Sequence, residues 1–156
     1  MIKRRKDNGF TLIELMIVIA VIGILAVVLI PKVGTIKTQA KTAGLNTNIR
    51  LVEGYIQNKI TKWADNGATE NEIQNDIIEA FNNDDITNPF TFSKVVAKNA
   101  SDSEALIVQK TNDKNDVNKR GSVVVEVDKI DPLTITITAH DNDGDIIKDL
   151  TVEITP

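Results

Sequence analysis

The 156-residue chain has no cysteine, a single histidine and only 4% aromatic residues. Without cysteine there is no disulfide framework, thiol nucleophile or thiolate metal site. One histidine, His140, excludes clustered imidazole ligands; with no obvious nucleophile partner and a turn following it, it reads as exposed or partly packed. No glycine-rich phosphate loop is present. The formal charge of −4 is a poor match to a general nucleic-acid binder. Acids are abundant but scattered in loops, where solvation is their default. No constellation for catalysis emerges, so the chain is expected to be neither an enzyme nor a holder of a metal or cofactor.

What is present is a long apolar run from Phe10 to Ile30, interrupted only by Thr11 and Glu14. As a helix rising about 1.5 Å per residue, it reaches about 30 Å, the thickness of a bilayer's hydrocarbon core. A helix satisfies its own backbone in lipid, so the run is expected to span a membrane. Glu14 is costly there, about 2.5 to 3.5 kcal/mol for an ionised acid at depth. Either it snorkels to the head groups from its place near the helix start, or it meets a positive charge also held in lipid. Ahead of the run, Met1 to Gly9 carries four consecutive cations, Lys3 to Lys6, which the positive-inside rule keeps cytoplasmic. The run is longer than a secretory signal and ends at Ile30-Pro31-Lys32 without a small-residue cleavage site. A cut after Gly9, before the run, remains open.

Gly9-Phe10-Thr11-Leu12-Ile13-Glu14, with basic residues before and an apolar helix after, resembles the class III signal of type IV prepilins and pseudopilins. The resemblance covers about the first fifth of the chain. It implies that a prepilin peptidase cleaves between Gly9 and Phe10 and N-methylates the Phe10 amine. It also implies that Glu14 pairs with the terminal amine of a neighbouring subunit. Gly23 and Pro31 fall where the family often has helix-loosening residues. Removing residues 1–9 takes away four cations and one acid, leaving a formal charge of −7. Many Gram-negative type IV pilins close a C-terminal loop with a cysteine pair; the absence of cysteine departs from that and is closer to pilins of Gram-positive anaerobes.

Beyond Pro31, Val33, Ile36, Ala40, Ala43, Leu45, Ile49, Val52, Ile56, Ile60 and Trp63 recur at spacings of three and four. They define one apolar helical stripe, expected to be core covered by a following sheet. Anchor and amphipathic half thus form one rod on the order of 80 Å long. Pro31 is expected to kink or melt it; Gly34, Gly44 and Gly54 are either tolerated defects or points of close packing or extension. Asp65-Asn66-Gly67 ends it. A second helix is expected from Glu70 to Phe81, opened by the capping box Thr69 to Glu72 and burying Ile73, Ile77, Ile78 and Phe81. Asn82 to Asp85 stops it, and Asn88-Pro89 opens a connecting segment.

The remainder reads as antiparallel sheet. Strands are expected at Ala105 to Gln109, Ser122 to Asp128, Leu133 to Ala139 and Ile147 to Ile154, with a polar loop at 111–116. The last three should be hairpin neighbours, although Val124 is more apolar than a solvent face needs. Asp141 to Asp145 has calcium-loop composition but lacks EF-hand spacing, and hairpin turn chemistry explains Asp-Gly equally well. Asn99-Ala100-Ser101 matches a glycosylation sequon, a pattern common by chance.

The expected fold is therefore α+β, the type IV pilin fold: leader 1–9, filament-core helix 10–31, amphipathic helix 32–66 and globular head 67–156. By resemblance the chain is a structural subunit that waits in the cytoplasmic membrane and is drawn into an extracellular helical filament of identical copies. A peptidase, an assembly ATPase and a membrane platform protein act on it; adhesion, surface motility or biofilm formation would follow. Two alternatives stand beside this: a pseudopilin of a secretion or DNA-uptake system, and a monomeric membrane-anchored binding domain. For the latter, Glu14 has no use.

Overall fold

A computed structural model describes residues 9–82, 86–98, 104–111, 119–130 and 132–156, with backbone alone at 30–33 and 129–130. The leader cations, the stop at 83–85, the sequon at Asn99, the polar loop at 112–116 and Asp131 lie outside the described residues. The chain divides into two units, Met1–Gln39 and Ala40–Pro156.

Helix α1 runs from Leu12 to Asp65. Its helical assignment continues through Pro31, so the proline does not melt it; a missing amide removes one rung of the ladder, not the helix. The stripe expected from Val33 is buried only from Leu45 onward. Leu45, Ile49, Val52, Ile56, Ile60 and Trp63 are 0–7% exposed, whereas Ile36 is 62% exposed and Ala40 and Ala43 face solvent. Helical spacing tells which face is apolar; it does not tell how far the covering element extends. Gly44 is a point of close packing, since a Cβ there would lie 3.2 Å from Pro89 Cβ.

Helix α2 (Glu70–Phe81) begins at the expected capping box: Glu72 N–H donates to Thr69 Oγ1, and Thr69 N–H donates to Glu72 Oε2 at 2.8 Å. Ile73, Ile77 and Phe81 are buried against the core, with Ile78 half-buried. The two helices are joined at Asp76. Its carboxylate accepts from Trp63 Nε1 at 3.0 Å, Tyr55 Oη at 3.1 Å and Lys59 Nζ at 3.4 Å. Partial burial pushes the Asp76 carboxyl up, but the three donors together outweigh it and hold the group below its ordinary value.

Five strands follow in the order β1 (Val96–Ala97), β2 (Leu106–Lys110), β3 (Val123–Ile130), β4 (Leu133–His140) and β5 (Ile146–Ile154), which is also their order across the sheet. β3, β4 and β5 pair antiparallel, as their short turns require. The expectation of a wholly antiparallel sheet needs correction at the other edge: β1 pairs with β2, and β2 with β3, in parallel. The dozen residues between β2 and β3 are long enough to return the chain to the end it left, which a parallel pair requires. Both faces of these central strands are covered, so Ile107 and Val124 form a buried pair of their own beside the main core.

Segment 86–95 is fastened by Asn88, which is fully buried. Asn88 Oδ1 accepts from the N–H groups of Phe90 and Thr91, while Nδ2 donates to Glu104 O at 3.0 Å and Arg120 O at 2.7 Å. Here a glycine is required: Gly121 has φ +70, and a Cβ on it would lie 2.3 Å from Asn88 Oδ1.

Candidate processing and assembly site

The sequence places the chemistry at the start of α1. Gly9 and Phe10 precede the helix without regular structure, and the Phe10 ring is 86% exposed. Thr11 is the helix cap, its carbonyl accepting from Leu15 N–H at 3.3 Å. Its N–H and its hydroxyl donate to Glu14 Oε2 at 2.8 and 2.7 Å, and Glu14 N–H reaches back to Thr11 Oγ1 at 3.4 Å. This is a capping box, the same Thr-x-x-Glu arrangement as at α2. The Thr-x-x-Glu signal is present in the sequence, and neither sequence-based expectation for Glu14, snorkelling to the head groups or pairing with an outside charge, includes this local partner. The structure gives it a local one. Glu14 also lies where the positive end of the helix dipole favours an anion.

Gly9, Phe10, Thr11 and Glu14 line one shallow, open pocket. The other two residues singled out by sequence lie elsewhere. Gly23 is within the apolar run, and a Cβ added there would meet nothing within 4 Å; Pro31 lies inside α1, its side chain outside the described residues. Leu12–Leu29 is a helix long and apolar enough to cross a membrane by length and composition, and none of it is buried within the chain.

Residues 4–30 match the family model described as the prokaryotic N-terminal methylation motif. The chain carries a prepilin-type amino terminus. Three curated relatives share similarity with part of the chain. The chain is 40% identical over 50 residues to the type II secretion system core protein G of Pseudomonas aeruginosa, covering 32% of this chain and 35% of the relative. It is 47% identical over 47 residues to the type IV major pilin protein PilA of Myxococcus xanthus, covering 30% and 21%. It is 49% identical over 55 residues to the type IV wide pilus major component PilA4 of Thermus thermophilus, covering 33% and 42%. The chain thus spans less than half the length of each of these relatives. No solved structure matches it.

Away from the prepilin-type terminus, the features that invite a metal or catalytic reading have structural explanations. Asp141 Oδ1 accepts from the N–H groups of Asp143 and Asp145 at 2.8 and 3.0 Å, and Gly144 takes φ +90; the acidic run is a hairpin turn tied by its first carboxylate. His140 is 5% exposed, which corrects the expectation of an exposed or partly packed ring. Its Nδ1 lies 2.8 Å from Gly144 O. A carbonyl only accepts, so Nδ1 carries the proton and the histidine closes the turn. Burial, reinforced by Lys119, lowers its basicity below the ordinary value of 6.5 against the opposing pull of the Gly144 carbonyl.

Proposed function

We propose that the chain is a structural subunit of a type IV pilus, matured by cleavage between Gly9 and Phe10 and assembled through α1. The observation that carries this is the coincidence of the methylation motif at residues 4–30 with a wholly unburied apolar helix at Leu12–Leu29. Apolar side chains need cover, and among the described residues nothing supplies it there. The membrane covers them before assembly, and the helices of neighbouring copies cover them after. Cleavage creates a cationic amine at Phe10, and methylation keeps it cationic. Glu14 then exchanges its local contacts with Thr11 for the Phe10 amine of a neighbour. A subunit out of register leaves both charges unpaired in an apolar medium, which is strongly unfavourable. Gly23 and Pro31 would ease the local adjustments of helix packing. The leader stays cytoplasmic, residues 67–156 form the displayed head, and a peptidase, an assembly ATPase and a membrane platform protein are the partners. Its role is mechanical rather than catalytic.

The second reading is a pseudopilin of a secretion apparatus, favoured by the likeness to core protein G. The experiment is the N-terminal mass of the protein in filaments sheared from its native host, with Glu14→Leu alongside. A chain starting at methylated Phe10 in long filaments, and at least a tenfold loss of filaments in Glu14→Leu, is the expected result. Mature protein found only in short periplasmic or cell-wall fibres would favour the pseudopilin. An intact Met1 leader found only in membranes would overturn both.

A further inference from the structure

We propose that the two edges of the sheet are complementary halves of a contact between heads, the β1 edge of one subunit seating on the β5 edge of the next. The proposal rests on the filament reading and says which surfaces of the head meet.

β1 and β5 lie at opposite edges of one sheet. The register carries Val96 across through Leu106 and Val123 to Ala139, and the next residue, His140, pairs with Ile146. Val95, just before β1, and Ile146, at the start of β5, therefore lie at the same end of the sheet on opposite edges. Both are exposed apolar side chains in a unit that buries most of its others, at 56% and 54%. Two parallel pairings followed by two antiparallel ones also leave β1 and β5 running in the same direction. A copy displaced sideways thus presents its β1 edge to its neighbour's β5 edge at matching height.

The segment leading into β1 has a second feature. Phe92 is 74% exposed and has φ +61, the only positive φ among described non-glycine residues. A bulky side chain is disfavoured there, and such a conformation persists only where its surroundings impose it. The surroundings are the Asn88 anchor: Phe92 N–H donates to Asn88 O, and Asn88 N–H to Ser93 O, both at 2.8 Å. The fold thus holds an aromatic ring outward on a rigid mount.

Charge distinguishes the edges. In sequence, Lys94 and Lys98 flank the β1 side, while Asp143, Asp145 and Asp149 flank Ile146 with Lys148 the single cation between them; Arg120, just before β3, donates to Asn142 Oδ1 in the same turn. An apolar knob with a basic rim at one edge and one with an acidic rim at the other are complementary to each other and not to themselves. Such a contact is heterologous and repeats without closing, as a filament needs. With only two residues, β1 offers little ladder to extend, so side chains make the contact.

The absence of native cysteine gives a direct test. Val95→Cys and Ile146→Cys are combined in one chain, and sheared filaments are oxidised mildly. The double variant is expected to run as a ladder of covalent multimers and each single variant as monomer. In parallel, Phe92→Gly removes the ring and suits the left-handed backbone; the head should unfold at an unchanged or higher temperature while filament yield falls several-fold. A double variant that assembles but stays monomeric on oxidation, or normal yield from Phe92→Gly, overturns this contact and leaves the filament reading standing. A wild-type chain that never leaves the membrane overturns both.

Discussion

Between Leu12 and Leu29, the large apolar side chains of α1 are 46–77% exposed, whereas along the stripe from Leu45 to Trp63 they are 0–7% exposed. The residue types are nearly the same, and one helix carries both segments. What differs is the pattern around them. In the second segment, polar residues fill the opposite face, so the helix has an inside and an outside. In the first, apolar residues run all round, which belongs to a membrane or a bundle core rather than to the surface of a globular domain. The head therefore completes its own core, and the first segment is built for cover from outside the chain. Burial within one chain is thus a guide to which interactions are intramolecular.

The comparison can be broken by truncating one side chain in each segment. Ile56→Ala removes a fully buried side chain beneath the sheet and should cost about 2–5 kcal/mol of head stability. Ile22→Ala, in the first segment, should leave head stability unchanged within about 0.5 kcal/mol. Thermal unfolding of the full chain in detergent, followed by Trp63 fluorescence, measures both. Equal losses would mean that the first segment contributes to the head's fold.

A smaller effect is expected at Asp76, which ties the buried stripe to α2. Asp76→Ala leaves the nearly buried Trp63 Nε1 without its acceptor, and about 1–2 kcal/mol should be lost. The Lys59 contribution is small because the pair is well solvated. Trp63→Phe should lose a similar amount, and the double variant less than the sum. Because the folded carboxyl is held below its ordinary value of 3.8, its contribution is complete above that pH and is lost as pH falls toward the folded value. Acid unfolding profiles of the wild type and Asp76→Asn should therefore converge at the acid end.

Much of this fold was legible because its elements declare themselves locally. The stripe in α1, the Thr69 to Glu72 box and the alternation of β4 each follow from spacing; the box and the alternation appear where spacing puts them, and the stripe does so from Leu45 onward. What spacing cannot carry is direction and cover. Alternation assigns side chains to faces but is silent on whether two strands run parallel, so the β2–β3 pairing was missed. One clue was available: Leu106, Ile107 and Val108, and likewise Val123, Val124 and Val125, are unbroken apolar runs. Such runs mark strands covered on both faces, the usual habit of parallel strands. β1, at two residues, is too short for any period. At the candidate site, the residue types and order are readable in the sequence, whereas the acid's cost in lipid points outward to a distant charge and not to Thr11, the local donor that the structure gives it.

The smallest expected effect concerns the turn that ends β4. His140 is held neutral by burial, and its basicity in the folded state lies below the ordinary value of 6.5. The unfolded chain, with the ordinary value, binds the proton first. Between the two values the unfolded state carries more protons, so stability rises with pH across that window. Stability should be complete above pH 6.5 and decline as pH falls below it, levelling once the folded value is passed. His140→Gln cannot titrate and should flatten this part of the profile. In the wild type the same protonation sets a second charge near Lys119, so the β4–β5 turn should loosen before the core does. Amide exchange at Gly144 and Asp145, followed from pH 7.5 downward with correction for intrinsic rates, should rise in the wild type and stay level in His140→Gln. Exchange that rises equally in both would place the pH dependence elsewhere in the head.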